Sequence, residues 1–69
     1  MSPLEARAEN IAAICRANGY SAEPMDCGVS VAIAAKRDGK SHVVRAKVGE
    51  EDDDHIARSL IRALEECYT

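Results

Sequence analysis

Apolar positions along this chain follow two different periods, and the switch between them marks out its elements. From Pro3 to Ala17, Leu4, Ala8, Ile11 and Cys15 recur at helical spacing with Ile14 beside them, which predicts one amphipathic helix. Ser2, Pro3 and Glu5 supply a Ser-x-x-Glu capping box with proline at the first helical position. Asn18-Gly19 supplies the left-handed stop. Between Val29 and Val48 the period falls to two. Asp38-Gly39 lies between two β-rich runs and is a favoured two-residue hairpin turn. That turn pairs Arg37 with Lys40, so Val29, Val31, Ile33 and Ala35 share a face with Val48, Ala46, Val44 and His42. Two independent alternations agree on this register.

The helical period returns after the acids. Ile56, Leu60 and Leu64, with Ala57, Ile61 and Cys67, form a second apolar stripe, and Arg58 and Arg62 lie on its other side. Before the hairpin, "YSAEPM" reads as a short extended edge, because Pro24 has no N–H for an inner ladder. "DCG" reads as a turn. The expected fold is a single-domain, two-layer α+β unit in the order αβββα. In it an N-terminal and a C-terminal helix cover one face of an antiparallel sheet of two to three strands.

Size limits what such a unit can do. A chain of 69 residues without Trp or Phe builds its core from Ile, Val, Leu and Ala, and this thin core favours a homodimer. No apolar run approaches the roughly 20 residues of a membrane span, and "MSPLEARAEN" has no hydrophobic stretch. A cytoplasmic location with reduced thiols is expected, with no membrane partner. Cys15, Cys27 and Cys67 form no Cys-x-x-Cys pair, so zinc and redox motifs find no support. Cys15 and Cys67 fall on the apolar stripes and are expected to be buried. Cys27 lies in an accessible loop and is the first candidate for a disulfide between two copies, with Cys67 second.

The net charge of −3 conceals a separation. Lys36, Arg37, Lys40, Arg45 and Lys47 stand against Asp38 alone, a local charge of +4, and Glu50, Glu51, Asp52, Asp53 and Asp54 follow at once. Each helix looks internally balanced. In the hairpin register Arg45 and Lys47 point away from the helices, on a face shared with Ser30, Ala32, Ala34 and Val43. An ordinary solvated sheet face is the plain reading of that surface; a contact surface for a partner is the sharper one.

The five acids admit three uses. A metal site with His55 is disfavoured, since consecutive residues at a helix start splay apart and calcium loops need alternating ligands with a glycine. A helix start is physically direct. Asp52 or Asp53 serves as N-cap, and its neighbours gain about 0.3–1 kcal/mol each from the helix dipole. That accounts for one or two acids, and the surplus is left exposed, either solvated or available to a basic partner. Catalysis finds no nucleophile elbow and no phosphate loop among Ser30, Ser41 and Ser59, and His42 is expected to pack against the helices near the hairpin tip. The chain reads as a non-enzyme without cofactor or metal.

Taken together, "NIAAICRANGY", "KRDGK" and "GEEDDDHIARSLIRALEE" resemble the small anti-CRISPR proteins of bacteriophages, most nearly an inhibitor of type I-C CRISPR-Cas systems. The resemblance implies function by binding the multisubunit Cascade surveillance complex in the host bacterial cytoplasm. It implies a block of target-DNA capture or of nuclease recruitment, with no catalysis, and it carries over no site residue. The contact candidates therefore come from charge alone: the acids Glu50 to Asp54, favoured as phosphate mimics, or the basic residues of the hairpin. The alternative is a small phage or bacterial structural or regulatory α+β module. Its element order is that of a double-stranded-RNA-binding domain, but acids stand where those domains place lysines, which disfavours direct nucleic-acid binding.

Overall fold

The computed structural model describes residues 2–68. Helix α1 runs Pro3–Ala17, strand β1 Ser21–Met25, β2 Ser30–Arg37, β3 Lys40–Lys47 and helix α2 Asp53–Glu66, with one 3-10 turn at Asp26–Gly28. This is the expected αβββα order. Both halves of the α1 capping box are made: Glu5 N donates to the Ser2 hydroxyl and Ser2 N to the Glu5 carboxylate, each at 3.2 Å. Asp52 caps α2, accepting from His55 N at 2.7 Å.

The sheet is antiparallel in the order β1-β2-β3, so β2 is central and the other two strands are edges. Asp38 (φ 51°) and Gly39 (φ 79°) both take left-handed backbone, as a type I′ turn requires, and Arg37 pairs with Lys40. The register then follows as the alternation predicts, with Val31 opposite Ala46, Ile33 opposite Val44 and Ala35 opposite His42. Helix α1 lies over β1 and β2, and α2 over β3 and β2. Between helices and sheet, Ala8, Ile11, Ala12 and Cys15 of α1 meet Val31 and Ile33 of β2 and Ile56, Ala57, Leu60 and Leu64 of α2. Ala8, Ala12 and Ala57 are fully buried within this core.

Three expectations of burial are corrected. Val29 is 44% exposed, because it closes the 3-10 turn with helical backbone (φ −68°, ψ −32°) and the strand alternation starts only at Ser30. Leu4 is 36% exposed, in the first turn of α1 and beyond the core. Cys67 is exposed: it forms the C-cap of α2, its sulfur turned back toward Ala63 O at 3.5 Å, and Tyr68 packs against the core in its place.

The turn before β2 is backbone-driven. Asp26 (φ 52°), Cys27 (φ 56°) and Gly28 (φ 95°) are left-handed in succession, which L side chains resist. The reversal presses Gly28 onto α1, where a Cβ would stand 2.7 Å from Glu5 Cα. Only glycine fits there.

Candidate functional site

The acid run and the basic hairpin, adjacent in sequence, meet different fates in the fold. Three of the five acids are engaged internally. Asp52 caps α2. Asp53 accepts Arg7 Nε through Oδ1 at 2.9 Å and Asn10 Nδ2 through Oδ2 at 2.9 Å. Asp54 pairs with Arg58 one turn along the helix at 2.8 Å. Arg7 does more than pair: its two terminal nitrogens donate to Gly49 O at 2.7 Å and Glu51 O at 2.6 Å, fastening the β3–α2 connection to α1. The expectation that each helix balances its own charge holds for Arg16 with Glu9 and Arg58 with Asp54, but Arg7 is committed across the fold. Its role was invisible in sequence, since only the tertiary fold brings residue 7 beside residue 53.

Among the described residues the side chains of Glu50 and Glu51 make no hydrogen bond or ion pair, so the free part of the acid run is these two. No three His, Cys, Asp or Glu side chains among the described residues gather closely enough to hold a metal ion. His55 is exposed, and only its backbone N–H takes part in the cap.

The five bases divide between two faces. Lys36, Arg45 and Lys47 share the parity of Ala32, Ala34 and Val43 and lie on the face away from the helices. Arg37 and Lys40 lie on the helix side at the hairpin tip. There the Arg37 guanidinium sits 4.9 Å from the centre of the Tyr68 ring and reaches Tyr20 OH at 3.5 Å. Tyr68 donates to Ala35 O and meets His42 edge-on at 4.8 Å, so His42 packs as expected. Tyr20 donates to Glu65 at 3.1 Å; lost hydration, together with that carboxylate, pushes its phenol above the usual range. Both tyrosines of the chain thus converge on the tip and tie it to the helices. Their chemistry there is structural.

The outer sheet face is zoned by strand. Across it Glu23 of β1, Ala32 of β2 and Arg45 of β3 stand in one row, and Ser21, Ala34 and Val43 in the next. Strands about 4.8 Å apart leave roughly 10 Å between the rows' outer members. Ala32 and Ala34 form the floor of a shallow groove of about 300 Å³ between Ser21 and Glu23 on one side and Val43 on the other. Val43 is 63% exposed, and the side chains of Lys36, Arg45 and Lys47 carry no hydrogen bond or ion pair among the described residues. A small apolar strip with unengaged cations along one side suits contact with a large partner. It offers no enclosed pocket in which to hold a small substrate.

The three thiols are free; Cys15 is buried, which pushes its thiol up, and Cys27 and Cys67 are exposed. No described helix is long and apolar enough to cross a membrane. Comparison of the chain with protein-family models, with curated proteins and with solved structures finds no match.

Proposed function

We propose that this chain acts by binding, as a non-catalytic anti-CRISPR inhibitor whose partner is the Cascade complex of a type I system, type I-C by resemblance. The observation that supports a binding role is the outer sheet face, where Lys36, Arg45 and Lys47 are left without partners beside an exposed Val43 and an alanine floor. Elsewhere the fold engages most of its arginines and three of the five acids internally. Unengaged charge beside exposed apolar surface is the pattern that a complementary acidic protein surface neutralises. The free acids shrink to Glu50 and Glu51, so the weight of the reading moves from phosphate mimicry to the sheet.

Purified protein is expected to co-elute with type I-C Cascade and to protect phage from interference in cells. The double variant Arg45→Glu, Lys47→Glu is expected to lose both effects. Absence of both effects in the unaltered protein would remove the reading. A charge-reversed variant that still inhibits would return the contact to Glu50 and Glu51. Self-association belongs to the same reading: a second copy joined through Cys27 would appear as a reductant-sensitive dimer on size exclusion and vanish in Cys27→Ser.

The element order favours a second reading, a regulatory α+β module that contacts nucleic acid in the manner of double-stranded-RNA-binding domains. Asp52, Asp53 and Asp54 at the start of α2 oppose it, because phosphate would meet like charge there. A salt-dependent gel shift of double-stranded RNA would favour this reading over the first.

A further inference from the structure

The two edges of the sheet are finished in different ways. The two-residue turn makes Arg37 and Lys40 a hydrogen-bonded pair, and antiparallel alternation carries that pattern through both ladders. On β1 it turns the main-chain groups of Ala22 and Pro24 outward. Pro24 has no N–H to offer, and the Ala22 carbonyl accepts Arg16 Nε at 3.0 Å. That edge is half blocked, with the Ala22 N–H its one remaining donor. On β3 the same alternation turns outward the N–H and C=O of Ser41, Val43, Arg45 and Lys47. No described residue bonds to these groups. This edge is open along the whole strand.

We propose that the β3 edge is a strand-addition site for an extended acidic segment of a partner protein. The side chains beside the open main chain select the occupant. Arg45 and Lys47 point to the outer face with Lys36 one strand further in, no acid lies on β3, and Val43 sits at the middle of the strand. Cationic side chains on an edge discourage pairing with another strand of the same charge, so a second copy of β3 is a poor guest. A strand with acids opposite Arg45 and Lys47 and a small apolar residue opposite Val43 gains main-chain bonds and loses no charge balance. On the other face it would extend the half-buried row of His42, Val44 and Ala46. Main-chain pairing supplies affinity and the alternate side chains supply specificity, as in other strand-addition complexes.

This rests on the binding role proposed above, but its test does not need Cascade. The full chain is titrated with a short synthetic peptide alternating Glu and Thr around a central Val, and amide shifts and hydrogen exchange are followed by NMR. The expected result is slowed exchange at the amides of Ser41, Val43, Arg45 and Lys47. Arg45→Glu, Lys47→Glu is expected to weaken the peptide by about tenfold or more, because like charges then face each other. Glu50→Gln, Glu51→Gln is expected to leave it unchanged. Shifts confined to β1 or the helices, equal binding of a Gln-for-Glu peptide, or β3 protection that rises with protein concentration alone would each overturn the proposal. Peptide binding without Cascade binding would remove the inhibitor reading and keep the edge; Cascade binding without peptide binding would do the reverse.

Discussion

Arg7 of the first helix holds Asp53 at the start of the last, Nε to Oδ1 at 2.9 Å, while its other nitrogens hold two carbonyls of the intervening connection. One planar guanidinium thereby satisfies three acceptors supplied by residues 49, 51 and 53. A flexible ammonium cannot reproduce that fork. Arg7→Ala is expected to cost about 2 kcal/mol, a moderate figure because the pair is partly solvated. Arg7→Lys is expected to recover less than half of it. Urea unfolding midpoints of the three proteins check this, and equal midpoints would show that the clamp is incidental.

Gly28 and Gly39 both have positive φ, yet substitution should separate them. A Cβ at Gly39 meets nothing within 4 Å, so Gly39→Ala carries only the left-handed backbone penalty of about 1–2 kcal/mol. A Cβ at Gly28 meets the backbone of α1 at 2.7 Å, and backbone cannot rotate aside. Gly28→Ala is expected to cost clearly more, about 3 kcal/mol or above, through displacement of α1 from the turn. Thermal melts of the two variants side by side decide it, and equal shifts would contradict the close contact.

What could be foreseen here was whatever local chemistry controls. The hairpin is legible because Asp38-Gly39 admits one turn geometry and the valines on either side then agree in phase. The start of α1 is legible because Ser2 and Glu5 lie within one turn of each other. Val29 misleads because an adjoining left-handed turn overrides the alternation that its spacing from Val31 suggests. Cys67 misleads because helical spacing continues on paper past the point where α2 ends and Tyr68 takes the core position. The Arg7 clamp and the tyrosines at the hairpin tip join residues more than fifteen positions apart, and no local pattern announces them. The outer face was half legible: the bases on β3 follow from the register, but Glu23 joins them only through the pairing of β1.

The thiols should report the fold directly. Cys27 and Cys67 are exposed and Cys15 is fully enclosed, so a thiol reagent is expected to modify two groups quickly and the third only on unfolding. Burial holds the Cys15 thiol above its unfolded value of 9.0. Above that pH the unfolded chain releases this proton while the folded chain retains it, so ionisation favours the unfolded state. The stability associated with Cys15 is therefore intact below pH 9 and falls as pH rises beyond it. Cys15→Ala should flatten that alkaline decline while lowering stability at neutral pH. An unchanged slope would show that other groups cause it.

Tyr68 closes the core that Cys67 does not. Its hydroxyl bonds to Ala35 O, and its ring lies against His42 and under Arg37. Tyr68→Phe is expected to cost about 1 kcal/mol for the lost hydrogen bond, and Tyr68→Ala about 2–3 kcal/mol with the ring contacts gone as well. The His42 ring protons should lose their ring-current shift in Tyr68→Ala and keep it in Tyr68→Phe. A Tyr68→Ala protein as stable as the parent would mean that α2 ends without this tie.

The acid run should yield a graded series rather than five equal effects, because each member does something different. Asp52 satisfies an otherwise unpaired N–H, and Asp52→Ala should cost about 1 kcal/mol. Asp53→Ala leaves Arg7 only its two carbonyl acceptors and should cost less than Arg7→Ala, with the double variant costing less than the sum of the two if they act as a pair. Asp54→Ala breaks an exposed pair within α2 and removes one acid from its first turn, and should stay below about 1 kcal/mol. Glu50→Gln, Glu51→Gln removes two unengaged charges beside three others and should leave stability equal or slightly higher. Chemical denaturation of the series measures the gradient. If Glu50 and Glu51 proved as costly as Asp53, they would be part of the scaffold and unavailable to any partner; if they prove neutral, any loss of Cascade binding in that variant belongs to the contact itself.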